Sequence, residues 1–285
     1  MEYTDLMEHN RLEETRQVPL PKLVNIQDTY TKEYLALNKR NDGRELMNFR
    51  DASLNLNTIH TADGSAAVKI GNTAVVCGIK AELGVPKAET PDIGYLLVNI
   101  ELPSLCSKKI RPGIPCDEAM QITSFLNEVC NNCKILDLHQ LCISVDKLAW
   151  VLSCDIYCLN YDGSVLDACL IALLSALQTV KLPEVKYNKE TEETIVVENY
   201  IPLKVNSLPV SSTFGVFNEK YILADPTEEE EQLCVSKLTV VTNGSLLFSL
   251  HKPGGEFIKD SQIQNCIRHA NNRAQTINQL IKAAH

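Results

Sequence analysis

Along this chain the apolar positions switch between a period of two and a period near three and a half, and each switch marks an element. Tyr34, Leu35 and Leu37 give Asp28 to Lys39 a helical face, and Asn41-Asp42-Gly43 ends it, because Gly accepts a positive φ and Asp caps turns. Leu54, Leu56 and Thr58 alternate with Asn55 and Asn57, which is strand spacing, and Asp63-Gly64 predicts a hairpin turn. Ser65 to Ile70 and Thr73 to Ile79, joined by Gly71-Asn72, predict a second hairpin rich in Val and Ala. Tyr95 to Leu102 reads as a strand. From Asp117 the period becomes helical, with Ala119, Ile122, Phe125, Val129 and Cys133 on one face. Asp146 to Leu159 predicts a strand apolar on both faces. Asp162-Gly163 ends it, and Ser164 to Val180 predicts an apolar helix.

Leu182-Pro183 and the polar stretch Lys186 to Glu193 mark a boundary, after which the plan repeats. Strands are expected at Ile195 to Val205, Ser211 to Phe217, Tyr221 to Ala224, Lys237 to Thr242 and Leu246 to Leu250. A terminal helix is expected from Ile258 to Ala284, with Ile263, Ile267, Ala270, Ala274, Ile277 and Ile281 on one stripe. Strands followed by helices, twice, is an α+β pattern with an internal pseudo-repeat. The division expected is an extension over 1–24, a first domain over 25–185 and a second over 186–285.

Composition narrows the function classes. With 45% hydrophobic and 22% charged residues, the chain can bury a core. A net charge of −9 argues against a stand-alone, non-specific nucleic-acid binder, though not against one local basic patch. The longest helical apolar run, Leu170 to Leu177, falls far short of the ~20 residues that cross a bilayer, so no membrane partner is expected. The charged first thirty residues hold no apolar segment of a secretory signal. Eleven cysteines scattered through apolar segments read as reduced, small core residues of an intracellular chain.

Several segments could carry chemistry, and each has a plainer reading. Arg40-Asn41-Asp42-Gly43-Arg44 sets two guanidiniums around a turn, and a capped turn with solvated arginines is favoured. Asp162-Gly163-Ser164-Val165-Leu166-Asp167-Ala168 opens a helix, whose first N–H groups can cradle phosphate. An Arg there would add bidentate binding. The chain instead has Val165, Leu166 and Asp167, whose carboxylate suits the helix dipole and would repel an anion. A helix turn without a ligand is favoured. Asp225-Pro226-Thr227-Glu228-Glu229-Glu230-Glu231 concentrates carboxylates that could hold Mg²⁺, but a solvated face or a first helical turn is favoured.

Cys130 and Cys133 have CxxC spacing inside a helical pattern with no second pair to complete a zinc site, so they read as ordinary helix cysteines. His9, His60, His139, His251, His269 and His285 form no ligand-spaced pair. His251-Lys252-Pro253-Gly254-Gly255 is a turn into the last helix and matches no nucleotide-binding fingerprint. No GxSxG nucleophile elbow is present. Two basic features remain: the loop with Lys108, Lys109 and Arg111, and the stretch Ser261 to His285 with Arg268, Arg273, Lys282 and no acid. RNA phosphates, an acidic protein neighbour and ordinary surface charge all stay open.

Arg40 to Arg44, Thr61-Ala62-Asp63-Gly64-Ser65-Ala66 and Gly71-Asn72-Thr73-Ala74-Val75-Val76-Cys77-Gly78 together resemble the opening of the RNase PH family. Leu148-Ala149-Trp150-Val151-Leu152, Asp162 to Ala172, Asp225 to Glu230 and His251 to Gly255 narrow the resemblance to the RNase PH-like ring subunits of the eukaryotic RNA exosome. It spans roughly residues 25 to 285. The resemblance implies an RNase PH fold of two α+β halves, the first like domain 2 of ribosomal protein S5. It also implies a ring of six such subunits, S1 and KH cap proteins, RNA threaded to an associated 3′→5′ exoribonuclease, roles in rRNA maturation and mRNA turnover, and a place in nucleus, nucleolus and cytoplasm.

Active relatives attack RNA with phosphate held at a Gly-Ser/Thr-Arg turn, and bind Mg²⁺ through two aspartates six apart. In this chain Gly163-Ser164-Val165-Leu166 is a vestige of that turn, with Val165 and Leu166 where Ser/Thr and Arg belong. Asp225 stands for the first aspartate and Glu231 lies six later. The expectation is a non-catalytic ring scaffold that needs no cofactor and has no catalytic residue, with Lys108, Lys109 and Arg111 facing RNA. The alternative is a phosphorolytic 3′→5′ exoribonuclease completed by a neighbour's arginine, with Asp225 and Glu231 on the metal. An unrelated metabolic enzyme lacks any cofactor fingerprint here. Sheet edges and apolar patches meant for neighbours should make the lone chain self-associate.

Overall fold

A computed structural model describes residues 39–108, 110–111, 116–188, 193–218 and 221–285. The helix expected at Asp28 to Lys39, apart from Lys39 itself, and the extension 1–24 lie outside the described residues. The chain divides after Glu45. Ahead of that point, Gly43 N–H donates to Arg40 O (2.9 Å), and Asp42 accepts from Arg44 N (3.0 Å) and Nε (2.6 Å). The capped turn is as expected, but Arg40 is buried rather than solvated.

From Leu46 onward, alternation sets the first sheet. It contains β1 (Ala52–Leu56), β2 (Gly64–Ile70), β3 (Thr73–Gly84), β4 (Tyr95–Glu101), β5 (Cys142–Ser144) and β6 (Leu148–Asn160). The order is β1-β2-β3-β6-β4, with β5 beside β6. All pairs are antiparallel except β4 with β6. Gly71-Asn72 turns β2 into β3, with Gly71 at φ 56°. Val68, Ile70, Val75, Cys77, Ile79, Leu152, Cys154 and Ile156 form the inner face. The reading of β6 as apolar on both faces is corrected. Asp155, Tyr157 and Leu159 on its outer face are exposed, because helices cover the sheet on one side only among the described residues.

Helix α1 (Asp117–Asn132) packs its Ala119, Ile122, Phe125 and Val129 stripe near β4. Helix α2 (Val165–Thr179) is apolar around its whole circumference, which requires cover on every side. It lies against β2 and β3 on one side and against the second sheet on the other. Leu182-Pro183 and the start of the polar stretch, where a boundary is expected, are extended strand. They lie in β7 (Lys181–Tyr187), paired with β8 (Thr194–Pro202) through opposed residues such as Leu182–Ile201 and Val185–Val196. The expected division after residue 185 therefore falls inside a strand.

The second half holds β9 (Val210–Asn218), β10 (Tyr221–Ala224), α3 (Glu228–Leu233), β11 (Ser236–Thr242), β12 (Leu247–His251) and α4 (Asp260–Ala284). Its four strands run β10-β9-β11-β12, and α4 lays Cys266, Ala270, Ala274, Ile277 and Ile281 on β9 and β11. The eleven cysteines are free and eight are buried. Burial pushes the Cys130 thiol up to about 12 and Cys133 to about 11, so neither offers a thiolate.

Among the polar contacts that join the halves, two rest on buried carboxylates. Arg50, just before β1, reaches Asp225 after β10. Its main-chain N–H and Nε donate to Asp225 Oδ2 (both 2.9 Å), and Nη2 donates to Oδ1 (2.7 Å). Nη1 also donates to Asp162 O (2.7 Å) at the β6–α2 turn. Asp167 of α2 accepts from Thr213 of β9, through N–H (2.8 Å) and Oγ1 (3.0 Å).

Removing one partner of a buried pair strands the other charge, so Arg50→Ala should lose about 3–5 kcal/mol in urea unfolding. A loss below about 1 kcal/mol would place the pair among surface salt bridges. Burial raises the Asp167 carboxyl from 3.8 to about 6. Its folded pKa lies above the unfolded one, so its contribution is complete below pH 4 and fades as pH rises through 6, by up to ~3 kcal/mol. Asp167→Asn should therefore gain stability relative to wild type between pH 4 and 7; parallel curves would refute the shift.

Candidate functional site

The turn from β6 into α2 needs two consecutive left-handed residues, Gly163 (φ 74°) and Ser164 (φ 50°). Gly163 has no alternative. A Cβ there would come within 2.2 Å of Pro226 O, on the segment that carries the acidic run. Thr73 Oγ1 donates to Gly163 O (2.8 Å), and Ser164 Oγ donates to Pro226 O (3.3 Å), so the turn is held from both halves.

What meets the start of α2 is a carboxylate. Ser164 N–H donates to Glu231 Oε1 (2.9 Å), and Lys237 Nζ lies 2.9 Å from Glu231 Oε2. The Tyr161 hydroxyl is 3.1 Å from the same Oε2 and 2.7 Å from Glu118 Oε1. Burial first, then these two carboxylates, hold the Tyr161 phenol far above its ordinary range, so it keeps its proton. A cavity of about 120 Å³ opens beside them, lined by Tyr161, Ser164, Leu166, Glu231, Lys237 and His251 among others. The His251 ring lies tilted by 38° against Phe125, with centroids 4.6 Å apart.

Of the expected phosphate turn, Gly163 and Ser164 form the bend, Val165 is buried in the core, and Leu166 lines the cavity. The role expected of Asp167 is corrected. Its carboxylate faces Thr213 inside the protein, and the anion standing at the helix start is Glu231. The acidic run does form a first helical turn, but it is not solvated throughout. Asp225 and Glu230 are buried, and the Thr227 N–H donates to Glu230 Oε2 (2.9 Å). Asp225 spends both oxygens on Arg50, and Glu231 faces Ser164, Tyr161 and Lys237. Among the described residues no three His, Cys, Asp or Glu side chains are placed to share a metal.

Lys108 and Arg111 are exposed on their loop, and Lys109 lies outside the described residues. The basic terminal stretch does not act as one surface. Arg268 and Lys282 are exposed, while Arg273 sits 5.2 Å over the Phe49 ring, and burial lowers its pKa. Sequence reasoning missed Arg50, Glu118, Tyr161 and Lys237. Only Glu118 carried a signal, as a first-turn acid of α1.

Residues 48–183 match the model of domain 1 of the 3′ exoribonuclease family, and residues 207–273 match its domain 2. The chain is similar to the exosome complex component rrp43 of Schizosaccharomyces pombe, at 38% identity over 86% of this chain and 92% of that one. It is also similar to exosome complex component Rrp42 of Pyrococcus furiosus, at 33% over 91% and 94%. A solved structure described as the Archaeoglobus fulgidus exosome with RNA bound to the active site superposes with TM-score 0.80 and 31% identity, covering 90% of this chain and 98% of that one. Two family domains matched in order on this fold, with relatives above 30% identity along most of its length, place the chain in the RNase PH-type 3′ exoribonuclease family.

Proposed function

We propose that the chain is a non-catalytic subunit of the RNA exosome ring, which helps to close the ring and lines part of the RNA path. The observation that carries this reading is Glu231 on the N–H of Ser164, the residue that caps the start of α2. Phosphorolysis needs a phosphate at that helix start, and the place already holds an anion. Two unit charges 4 Å apart repel by about 4 kcal/mol at an effective dielectric of about 20. Lys237, the nearby cation, is engaged by the same carboxylate. Leu166 supplies no donor where a guanidinium would serve, and one lost donor costs about 10²–10³ in rate. The composite-site alternative needs Asp225 to leave Arg50 and Glu231 to leave Lys237, and nothing in the geometry favours it.

The partners that fit this reading are other RNase PH-like ring chains, S1/KH cap proteins, RNA and an associated 3′→5′ exoribonuclease, in nucleus, nucleolus and cytoplasm. The relatives' names, exosome complex components, support the ring membership. The exposure of Lys108 and Arg111 supports an RNA-facing loop with Lys109. Such a loop positions RNA through phosphates and carries no base preference.

Purified chain given labelled RNA, Mg²⁺ and phosphate should release no nucleoside diphosphates. In an assembled ring, Glu231→Gln should leave RNA turnover unchanged. Phosphorolysis by the chain alone, or turnover lost with the variant, overturns the non-catalytic reading. Lys108→Glu with Arg111→Glu should weaken RNA protection by the ring and flatten its salt dependence by about one unit of slope for each phosphate no longer neutralised. Unchanged protection removes these residues from the RNA path.

A further inference from the structure

The C-terminal end of α1 closes on a hollow that the candidate site does not use. A cavity of about 360 Å³ lies there, lined by α1, the start of β4, the short helical turn Leu138–Leu141 and the segment before β9. Helix α1 carries Glu118 at the candidate site and Asn131 at this cavity, and thirteen residues at about 1.5 Å each set the two about 20 Å apart. The walls are laced together. Leu136 pairs with Val205 in an isolated antiparallel bridge. Asn206 N–H donates to Ile135 O (2.8 Å), Ser207 Oγ to Cys133 O (2.8 Å) and Gly94 N–H to Leu138 O (3.0 Å). The hollow is therefore preformed, at the small end of the range of ligand cavities.

Its lining has two parts. Ile93, Leu96, Leu136 and Leu138 make an apolar floor, joined by the buried Cys130. Asn131, Lys134 and Asn206 form an exposed polar rim. Among the described residues the Lys134 ammonium has no ion pair. Lys134 also holds φ at 46°, in the left-handed region that Gly or Asn adopts at less cost. The one acid of the lining, Asp137, caps the short turn by accepting from His139 N–H (3.2 Å). Carbonyls at the end of α1 are engaged too: Val129 O by Cys133 N–H (2.9 Å), Cys130 O by Ile135 N–H (3.3 Å) and Asn131 O by Lys134 N–H (3.3 Å). The helix end therefore presents few free acceptors to an incoming anion.

The chemistry of the lining selects a ligand. One ammonium beside two amides suits a carboxylate, which accepts several donors at once. The apolar floor requires that this carboxylate be carried on a hydrocarbon or aromatic body. A nucleic-acid strand is excluded, because its phosphates call for several cations and this lining holds one Lys and no Arg.

We propose that this cavity binds a carboxylate carried on a compact apolar body. Lys134, Asn131 and Asn206 hold the carboxylate, and Ile93, Leu96, Leu136 and Leu138 hold the body. A small free acid and the C-terminal residue of a polypeptide share that chemistry. The inference stands on the cavity alone and does not depend on ring membership.

The test titrates the full chain calorimetrically at neutral pH and constant ionic strength with four probes. These are 4-methylpentanoate, its neutral amide, and a pentapeptide ending in leucine with either a free or an amidated C-terminus. At least one of the two carboxylates should saturate a single site with a Kd of about 1 mM or tighter, and its amide should bind at least about tenfold more weakly. The comparison of acid with amide uses wild type alone, so no variant's folding enters it. Lys134→Asn removes the cation and keeps a residue at ease in the left-handed region, so its melting midpoint should not fall, while carboxylate affinity should drop at least about tenfold. Saturation by the small acid alone makes the ligand a free metabolite, and saturation by the free peptide end alone makes it a chain terminus; both support the site. No saturation by either carboxylate overturns it. Equal affinity for acid and amide, or unchanged affinity in Lys134→Asn, overturns the assignment of the carboxylate to this rim.

Discussion

One buried guanidinium constrains most of what this site can do. Arg50 binds both oxygens of Asp225 and the carbonyl of Asp162, so a residue near the start of the described chain fixes two turns from different halves. With those turns set, Gly163 is pressed against Pro226, α2 begins where Glu231 can reach the N–H of its cap, Ser164, and both oxygens of Asp225 are held by Arg50. The ion pair therefore acts as a structural clamp between the halves.

Helix α2 explains why the site cannot be altered independently of the fold. It is apolar on every side because it is the layer between two sheets, so its first turn serves architecture and site together. Asp167 shows how architecture wins. A carboxylate in a first helical turn suits the dipole anywhere, but here it bridges to Thr213 of β9 and is buried at the cost of a raised pKa. The position is spent on joining the halves, and the anion at the helix start comes instead from α3.

Much of the fold was legible because local period decides it. The Gly71-Asn72 hairpin, the Ala119-to-Val129 stripe and the Ala270-to-Ile281 stripe each follow from spacing alone. The two-faced reading of β6 failed because Tyr157 and Leu159 are apolar yet exposed, and spacing cannot distinguish a covered face from a bare one. The polar stretch after Pro183 read as a boundary, but it carried no sign that cross-strand pairs such as Val185–Val196 form a ribbon there. The site was half legible. The Gly163–Leu166 turn and the acidic run stood out by composition. Arg50, Tyr161 and Lys237 did not, because each acquires its role from a partner 70 or more residues away, or, for Lys237, from one on the preceding helix. Single residues that meet only in the folded state leave no local pattern.

The start of α2 is already occupied by the protein's own carboxylate, and the non-catalytic reading stands on that occupancy. Calorimetric titration of the folded chain with inorganic phosphate tests it most directly. At millimolar phosphate and constant ionic strength, no saturable heat is predicted. Saturable one-to-one binding that a substitution at Ser164 removes would contradict it.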